Sequence, residues 1–245
     1  MGARAARVLT ERRRRWRAYL LLARVSNLPT IWSNVLAGTA VSGSAASWPD
    51  VVRLSVGVSL LYTAGMFLND VADRHVDAEH RPDRPIPAGD VTLGAATAVG
   101  AVLLAAGETA IVAQPSFAAP LVWSLALVSA ILYYDYRHKR DAFGPLVMGA
   151  CRGLVYCTAA AAVAGTVRPI VLVAAVALAL YVLGLTWIAK RLGPSAGATV
   201  SILIAGIALV DAVVILASGA RPMVALLAAV AFVLTLVFQR AVPGT

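Results

Sequence analysis

Charge is what this 245-residue chain is short of: 13% of its residues are Asp, Glu, Lys or Arg, against about 25% in a soluble domain. With 60% apolar residues and a mean hydropathy of +0.81, that scarcity argues against a water-soluble globule and for a polytopic membrane protein. Cysteine is nearly missing. Cys151 and Cys157 fall on one expected membrane helix, so there is no disulfide framework, and no His or further Cys completes a metal set around them. They read as small buried side chains. His75, His80 and His138 lack the spacing of metal ligands and read as solvated. Acids are scarcer than bases, 12 against 21, which with a pI near 10.3 raises the question of nucleic acid. The position of the bases answers it. Eight arginines lie between Arg4 and Arg24, just before the first apolar run, where they act as a topology signal and can touch anionic lipid. No nucleic-acid partner is expected.

Apolar runs bounded by charge, proline or glycine predict eight membrane helices, at about 22–46, 51–71, 91–113, 118–136, 144–164, 168–189, 196–218 and 222–240. Each is long enough for a hydrocarbon core of about 30 Å at about 1.5 Å per residue. The expected fold is all-α, one transmembrane domain over residues 1–245, with 1–20 as a basic segment at its start. The first apolar run reads as span one and not as a secretory signal, because it is long and many more spans follow. Basic residues sort by side. Seventeen lie with the N-terminus, counting its eight arginines, Arg74, Arg81, Arg84, Arg137, Lys139, Arg140, Lys190, Arg191 and Arg240; only Arg53, Arg168 and Arg221 lie opposite. That bias places both termini and the acidic stretch described next in the cytoplasm.

Six of the twelve acids fall between Asp70 and Asp90. Asp70, Asp73 and Asp77 recur at i, i+3 and i+7, which stacks them on one helix face, with Asn69 one turn before Asp73. Carboxylates this close to hydrocarbon repel one another unless something binds them. A divalent cation relieves the repulsion, and Mg²⁺ prefers oxygen ligands while bridging to substrate phosphates. The bland alternative is a solvated acidic cap partly neutralised by Arg74 and Arg81. The connection that follows, Arg81-Pro82-Asp83-Arg84-Pro85-Ile86-Pro87, carries three prolines that stiffen it, so it can hold Arg81 and Arg84 over the acids. A rigid turn without catalytic duty explains it too.

A second polar cluster, Tyr133-Tyr134-Asp135-Tyr136-Arg137-His138-Lys139-Arg140-Asp141, closes span four. Arg152 follows near the start of span five. An arginine inside a span needs a partner, and Gly149 and Gly153 flank it at a spacing that lets helices approach closely. Lys139 and Arg152 can grip a diphosphate charge to charge, whereas Arg137 and Arg140 read mainly as topology signals. Glu108 in span three and Asp211 in span seven lie far from this rim, either lining a polar pocket or pairing with a neighbour. Asn34, in span one, is the polar residue expected to face a pocket; a hydrogen bond between helices explains it nearly as well.

The stretch Asn69-Asp70-x-x-Asp73-x-x-x-Asp77 followed by Arg81-Pro82 resembles the signature of the UbiA superfamily of membrane prenyltransferases. Asn27-Leu28-Pro29-Thr30 entering span one, Tyr134-Asp135 with Lys139 after span four, and the all-helical spacing extend the resemblance over essentially the whole chain. The resemblance implies a bundle around a central cavity open to lipid, in which an isoprenyl diphosphate is held through Mg²⁺ by Asp-rich motifs. Carried over by motif, Asn69, Asp70, Asp73 and Asp77 take metal and diphosphate, and Arg81, Lys139 and Arg152 take phosphate oxygens; Tyr134, from the Tyr134-Asp135 resemblance, and Asn34, from its polar place in span one, are the further expected substrate-binding residues. Two departures stand out. Members typically have about nine spans where this chain shows eight, and they carry a second Asp-rich motif at the cytoplasmic end of span six. Here that stretch, Tyr181 to Arg191, holds no acid, and Lys190 and Arg191 are placed to contact diphosphate directly instead.

The resemblance implies ionisation of an allylic diphosphate and transfer of the prenyl group to a lipophilic or aromatic acceptor that the sequence leaves unnamed. An apolar cavity keeps water from the carbocation. Tyr62, Tyr133, Tyr134, Tyr156, Trp123 and Trp187 can offer aromatic faces to it. A membrane terpene cyclase needing no acceptor is the nearest alternative; a transporter or scaffold is the alternative outside enzymology.

Overall fold

A computed structural model of the chain describes residues 3–137, 143–193 and 197–242. Among them the regular structure is entirely helical: α1 (Ala3–Ala23), a 3₁₀ turn (Val25–Asn27), α2 (Leu28–Val41), α3 (Trp48–His80), α4 (Leu93–Val112), α5 (Ala118–Arg137), α6 (Gly144–Ala164), α7 (Pro169–Leu192), α8 (Gly197–Ala217) and α9 (Pro222–Ala241). Seven of these, α3 to α9, are long and apolar enough to cross a membrane. Large apolar side chains such as Val102, Val122, Val173, Leu180 and Val213 stand exposed on their outer faces, as lipid contact requires. The chain is an integral membrane protein.

The first expected span, 22–46, is not one helix. Arg24 adopts a left-handed conformation (φ 45°), the 3₁₀ turn follows, and α2 restarts with Pro29 in its first turn. Proline has no N–H to continue a helix from Val25, so the break has a covalent cause in the sequence. What remains, α2, is only 14 residues long, yet it is the most enclosed helix of the bundle, packed by α3, α6, α8 and α9. Thr30, Ser33, Asn34 and Thr39 are buried along it. Gly38 is where α6 crosses: a Cβ there would lie 2.8 Å from both the Cα and the carbonyl oxygen of Tyr156. Small residues seat α6 on α7 in the same manner, since a Cβ on Gly149 or Gly153 would meet the carbonyl oxygens of Ala179 and Ala175 at 2.7 and 2.9 Å.

Helix α3 runs 33 residues, about 50 Å at 1.5 Å per residue, well beyond a hydrocarbon core of about 30 Å. At its start Ser47 accepts a hydrogen bond from the Asp50 amide and caps the helix. One turn on, Arg53 donates through Nη1 to the Ala110 and Ile111 carbonyls (2.8 and 2.9 Å) and through Nη2 to Gln114 (2.6 Å). It thereby satisfies carbonyls that the end of α4 leaves unpaired. The far end of α3 overshoots the bilayer and carries the acidic block with it. The proline-rich connection folds back over that block. Arg84 and Ala88 bond to the Arg81 and Arg84 carbonyls, Val91 bonds to that of Pro85, and Val91 packs with Leu22, Phe67 and Ala96. Arg14 of α1 pairs with Asp90 and pins the loop from above.

Candidate active site

Where α3 leaves the membrane, its buried face presents Asn69, Asp70 and Asp77, each no more than 6% exposed, with Asp73 half-buried beside them. Asp70 Oδ1 accepts from Arg84 Nη1 at 2.9 Å and lies 3.6 Å from Arg24 Nη2. The same Arg84 nitrogen lies 3.8 Å from Asp77 Oδ2, so one guanidinium bridges two carboxylates two turns apart. Arg84 reaches them because the packed loop returns over the helix; Arg24 does so because its left-handed turn swings it back from the end of α1. Arg81 stands exposed, its backbone N–H spent on the Asp77 carbonyl. Asn69 Nδ2 is buried with no hydrogen-bond partner among the described residues.

Among the described residues no three His, Cys, Asp or Glu side chains converge as a metal set. Arg84 stands as counter-charge to both Asp70 and Asp77. The donor set is nevertheless all oxygen. Mg²⁺ commonly takes one or two carboxylates and completes its shell with water and substrate phosphate, so these acids fit such an ion arriving with a diphosphate.

Below the rim opens a cavity of about 240 Å³ between α2, α3, α5, α6, α7 and α8. Arg24, Asn27, Tyr134 and Asp135 stand at its polar end, and Ile31, Val58, Leu127, Val182 and Ile207 among others make the rest apolar. Tyr62 lines it with its hydroxyl held by Asn27 Nδ2 at 3.2 Å, and Asn27 Oδ1 accepts from Gln239 at 3.1 Å. Arg152 lies on the same wall, its Cζ 5.7 Å from the centre of the Tyr62 ring.

Behind this wall lies a second polar group inside the membrane. Asp211 of α8 is fully buried and accepts from Ser33 Oγ (2.5 Å), Asn34 Nδ2 (2.8 and 3.0 Å) and Tyr156 hydroxyl (2.5 Å). Asn34 turns its other end to Arg152, whose Nη1 donates to Asn34 Oδ1 at 2.9 Å and to Thr30 Oγ1 at 3.1 Å. Asn34 therefore joins helices and does not line the cavity. Glu108 also has a partner, Ser124, at 2.5 Å.

The other expected positions scatter. Lys139, with His138, Arg140 and Asp141, lies outside the described residues. Tyr134 lines the cavity. Lys190 and Arg191 are exposed at the end of α7, Arg191 stacked 3.5 Å over the exposed Trp187 ring, and neither is among the cavity-lining residues. Tyr156 is committed to Asp211 and shows no face to the cavity. Cys157 is buried, while Cys151 is half-buried on the cavity wall; both are free thiols. Sequence reasoning missed Arg24 and the partners of Asp211. In the sequence Arg24 reads as one of the topology arginines; its place three residues before Asn27-Leu28-Pro29 is the signal that the chain turns there.

A model of the UbiA prenyltransferase family matches residues 27–243. A digeranylgeranylglyceryl phosphate synthase of Methanoculleus marisnigri is 30% identical over 162 residues, 64% of this chain and 56% of the relative. Another, from Halobacterium salinarum, is 32% identical over 166 residues, 67% of this chain and 60% of that protein. The matches thus span somewhat over half the length of these curated relatives. The structure of a UbiA homolog from Archaeoglobus fulgidus bound to DMAPP and Mg²⁺ superposes with a TM-score of 0.61 at 14% identity, covering 91% of this chain and 86% of that one. That likeness is one of fold.

Proposed function

We propose that this chain, which belongs to the UbiA prenyltransferase family, ionises an isoprenyl diphosphate at the end of α3 and transfers the prenyl group to an acceptor. The observation that supports the reading is that Arg24, at the polar end of an apolar cavity inside a membrane bundle, lies 3.6 Å from buried Asp70, which with Asp77 also faces Arg84. Asp70, Asp73 and Asp77, with Asn69 beside them, would hold Mg²⁺ on the diphosphate, where it supplies positive charge to the departing group. Arg84 and Arg24 already stand at the carboxylates and take phosphate oxygens, stabilising the charge that develops as the allylic C–O bond breaks and pyrophosphate leaves with the electron pair. The apolar wall from Ile31 to Ile207 excludes water while the cation meets a nucleophile, which then loses its proton. Tyr62 and Tyr134 offer ring faces there. Lys139 at the close of span four is a further phosphate ligand on motif grounds, and Lys190 and Arg191 can meet diphosphate only by turning in from the rim. The excess of basic residues on the N-terminal side supports a cytoplasmic position for this rim and both termini.

The test is incubation of the purified protein in detergent with Mg²⁺ and prenyl diphosphates of several chain lengths, followed by mass spectrometry with and without membrane lipid extract. Prenylated product that needs the extract supports transfer. A terpene formed from the diphosphate alone would instead make the protein a cyclase. Turnover retained in the Asp70→Asn/Asp73→Asn double variant would refute the metal-diphosphate site.

A further inference from the structure

Arg152 is a permanent cation within the membrane layer, and only one corner of it is used. Nη1 makes both of its hydrogen bonds, to Thr30 and Asn34; among the described residues Nη2 and Nε make none. Arg152 belongs to the cavity wall, so that free edge borders an apolar space. A guanidinium edge in such a place calls for an acceptor, and a planar anion matches its fork best. Tyr62, the ring nearest Arg152, precedes Asp70 by eight residues on α3, which sets Arg152 about 12 Å deeper than the acidic rim.

What holds Arg152 in this pose lies one layer back. The Asp211 carboxylate has only acceptors to offer, so Asn34 must aim its NH₂ group at it and consequently its oxygen at Arg152. Ser33 and Tyr156 fix the same carboxylate from two other directions, and the close crossing at Gly38 fixes Tyr156. The amide cannot flip without setting NH₂ against guanidinium and oxygen against carboxylate. The result is an ion pair with one amide between its members. It balances the charge of Arg152 within the bundle and leaves the cavity edge unobstructed.

We propose that Asp211 is a positioning residue: through the Asn34 amide it fixes Arg152 with its free edge toward the cavity, where that edge holds an anionic group of a substrate, carboxylate or phosphate. The proposal rests on the cavity being the substrate cavity of the enzymatic reading above. The anion belongs either to the prenyl diphosphate or to the acceptor. A bound anion would also spare an allylic cation formed nearby the repulsion of a bare guanidinium.

The experiment is a mutant cycle on the full-length protein in lipid nanodiscs with Mg²⁺. It comprises Asp211→Asn, Asn34→Ala, Arg152→Gln and their pairs, with Tyr156→Phe as the conservative control. Asn34→Ala breaks the relay while leaving Asp211 two donors, so it serves even if Asp211→Asn does not fold. Two quantities are read: steady-state turnover of geranylgeranyl diphosphate with membrane lipid extract, and calorimetric binding of the non-ionising thiolodiphosphate analogue, which needs no turnover. Each single variant is expected to weaken the affinity for one substrate on the order of ten-fold while kcat changes less than about three-fold, with each pair no worse than Arg152→Gln alone. Tyr156→Phe, which keeps the Asp211 to Asn34 contact and removes one of the other donors to the carboxylate, should weaken that affinity by less than Asn34→Ala does. Coupling in the thiolodiphosphate titration assigns the anion to the diphosphate; coupling only in the half-saturating amount of extract assigns it to the acceptor. Effects that multiply, or a loss of thermal stability with both affinities unmoved, overturn the proposal. A wild-type protein inactive on every prenyl diphosphate overturns the enzymatic reading instead, and the calorimetric cycle then decides alone: uncoupled binding there overturns the positioning role.

Discussion

Two aspartate–arginine pairs, one at the rim and one inside the bundle, are built in opposite ways. At the rim, Asp70 meets Arg84 directly at 2.9 Å, and the arginine comes from a loop laid over the helix end. In the interior, Asp211 meets Arg152 only through Asn34, and every group involved sits on a helix locked by close packing. Under the proposed function the rim pair is a contact a ligand would enter, a metal and a diphosphate replacing each member's partner with another of the same sign. The interior pair is saturated on the carboxylate side and open only at the far edge of Arg152. One is built to exchange partners and the other to keep them.

The contrast sets expectations for substitution. The largest effect should come from Asp70→Asn/Asp73→Asn, which removes two of the rim's three carboxylates and should cut turnover of prenyl diphosphate by about a thousand-fold or more; mass-spectrometric product assays measure it. The interior responds the other way. Asp211→Ala leaves the donors of Ser33, Asn34 and Tyr156 and the charge of Arg152 uncompensated in a buried place. It should lower stability by about 3 kcal/mol, seen as a reduced melting temperature in detergent. A strongly stable Asp211→Ala protein would erase the distinction. Between the two loop arginines the difference should be sharp: Arg84→Gln should weaken diphosphate binding by about ten- to a hundred-fold. Arg81→Gln, exposed and away from the acids, should change it by less than about three-fold, as exposed charges do. The smallest effect belongs to Arg191→Ala, which loses only a ring contact with exposed Trp187; turnover within about two-fold of wild type is expected. A large loss there would move Arg191 into the diphosphate site after all.

The rim was legible from the chain alone because its order is local. Asp70, Asp73 and Asp77 sit within eight residues on one helix, and Arg84 follows seven residues later on a loop stiffened by proline. Choosing Arg84 over Arg81 was not legible, since it depends on how the Pro85 carbonyl and Val91 fold the loop back. The seven long helices could be read from hydropathy, whereas the broken first span could not be read from hydropathy alone: Arg24 to Asn27 interrupts an apolar run without changing its average. The interior network was hidden for a different reason. Ser33 and Asn34 lie more than 170 residues from Asp211, and Tyr156 lies 55 away. Periodicity describes one helix at a time and says nothing of which helices cross, so an acid in span seven announced a need for partners without naming them.

The uninterrupted length of α3 has a mechanical consequence. Its base is tethered to the end of α4 by Arg53, and its other end carries Asp70 and Asp77 beyond the hydrocarbon layer. From Arg53 to Asp77 is about 36 Å of continuous helix at 1.5 Å per residue. A stiff rod of that length is a lever. A tilt of about 5° about the Arg53 end would carry Asp77 through about 3 Å, and the loop that bears Arg84 would travel with it, because that loop leaves the helix end with the Arg81 N–H on the Asp77 carbonyl. Bilayer thickness sets how far a long helix must lean, and here a change of lean displaces the acids and their counter-charge together.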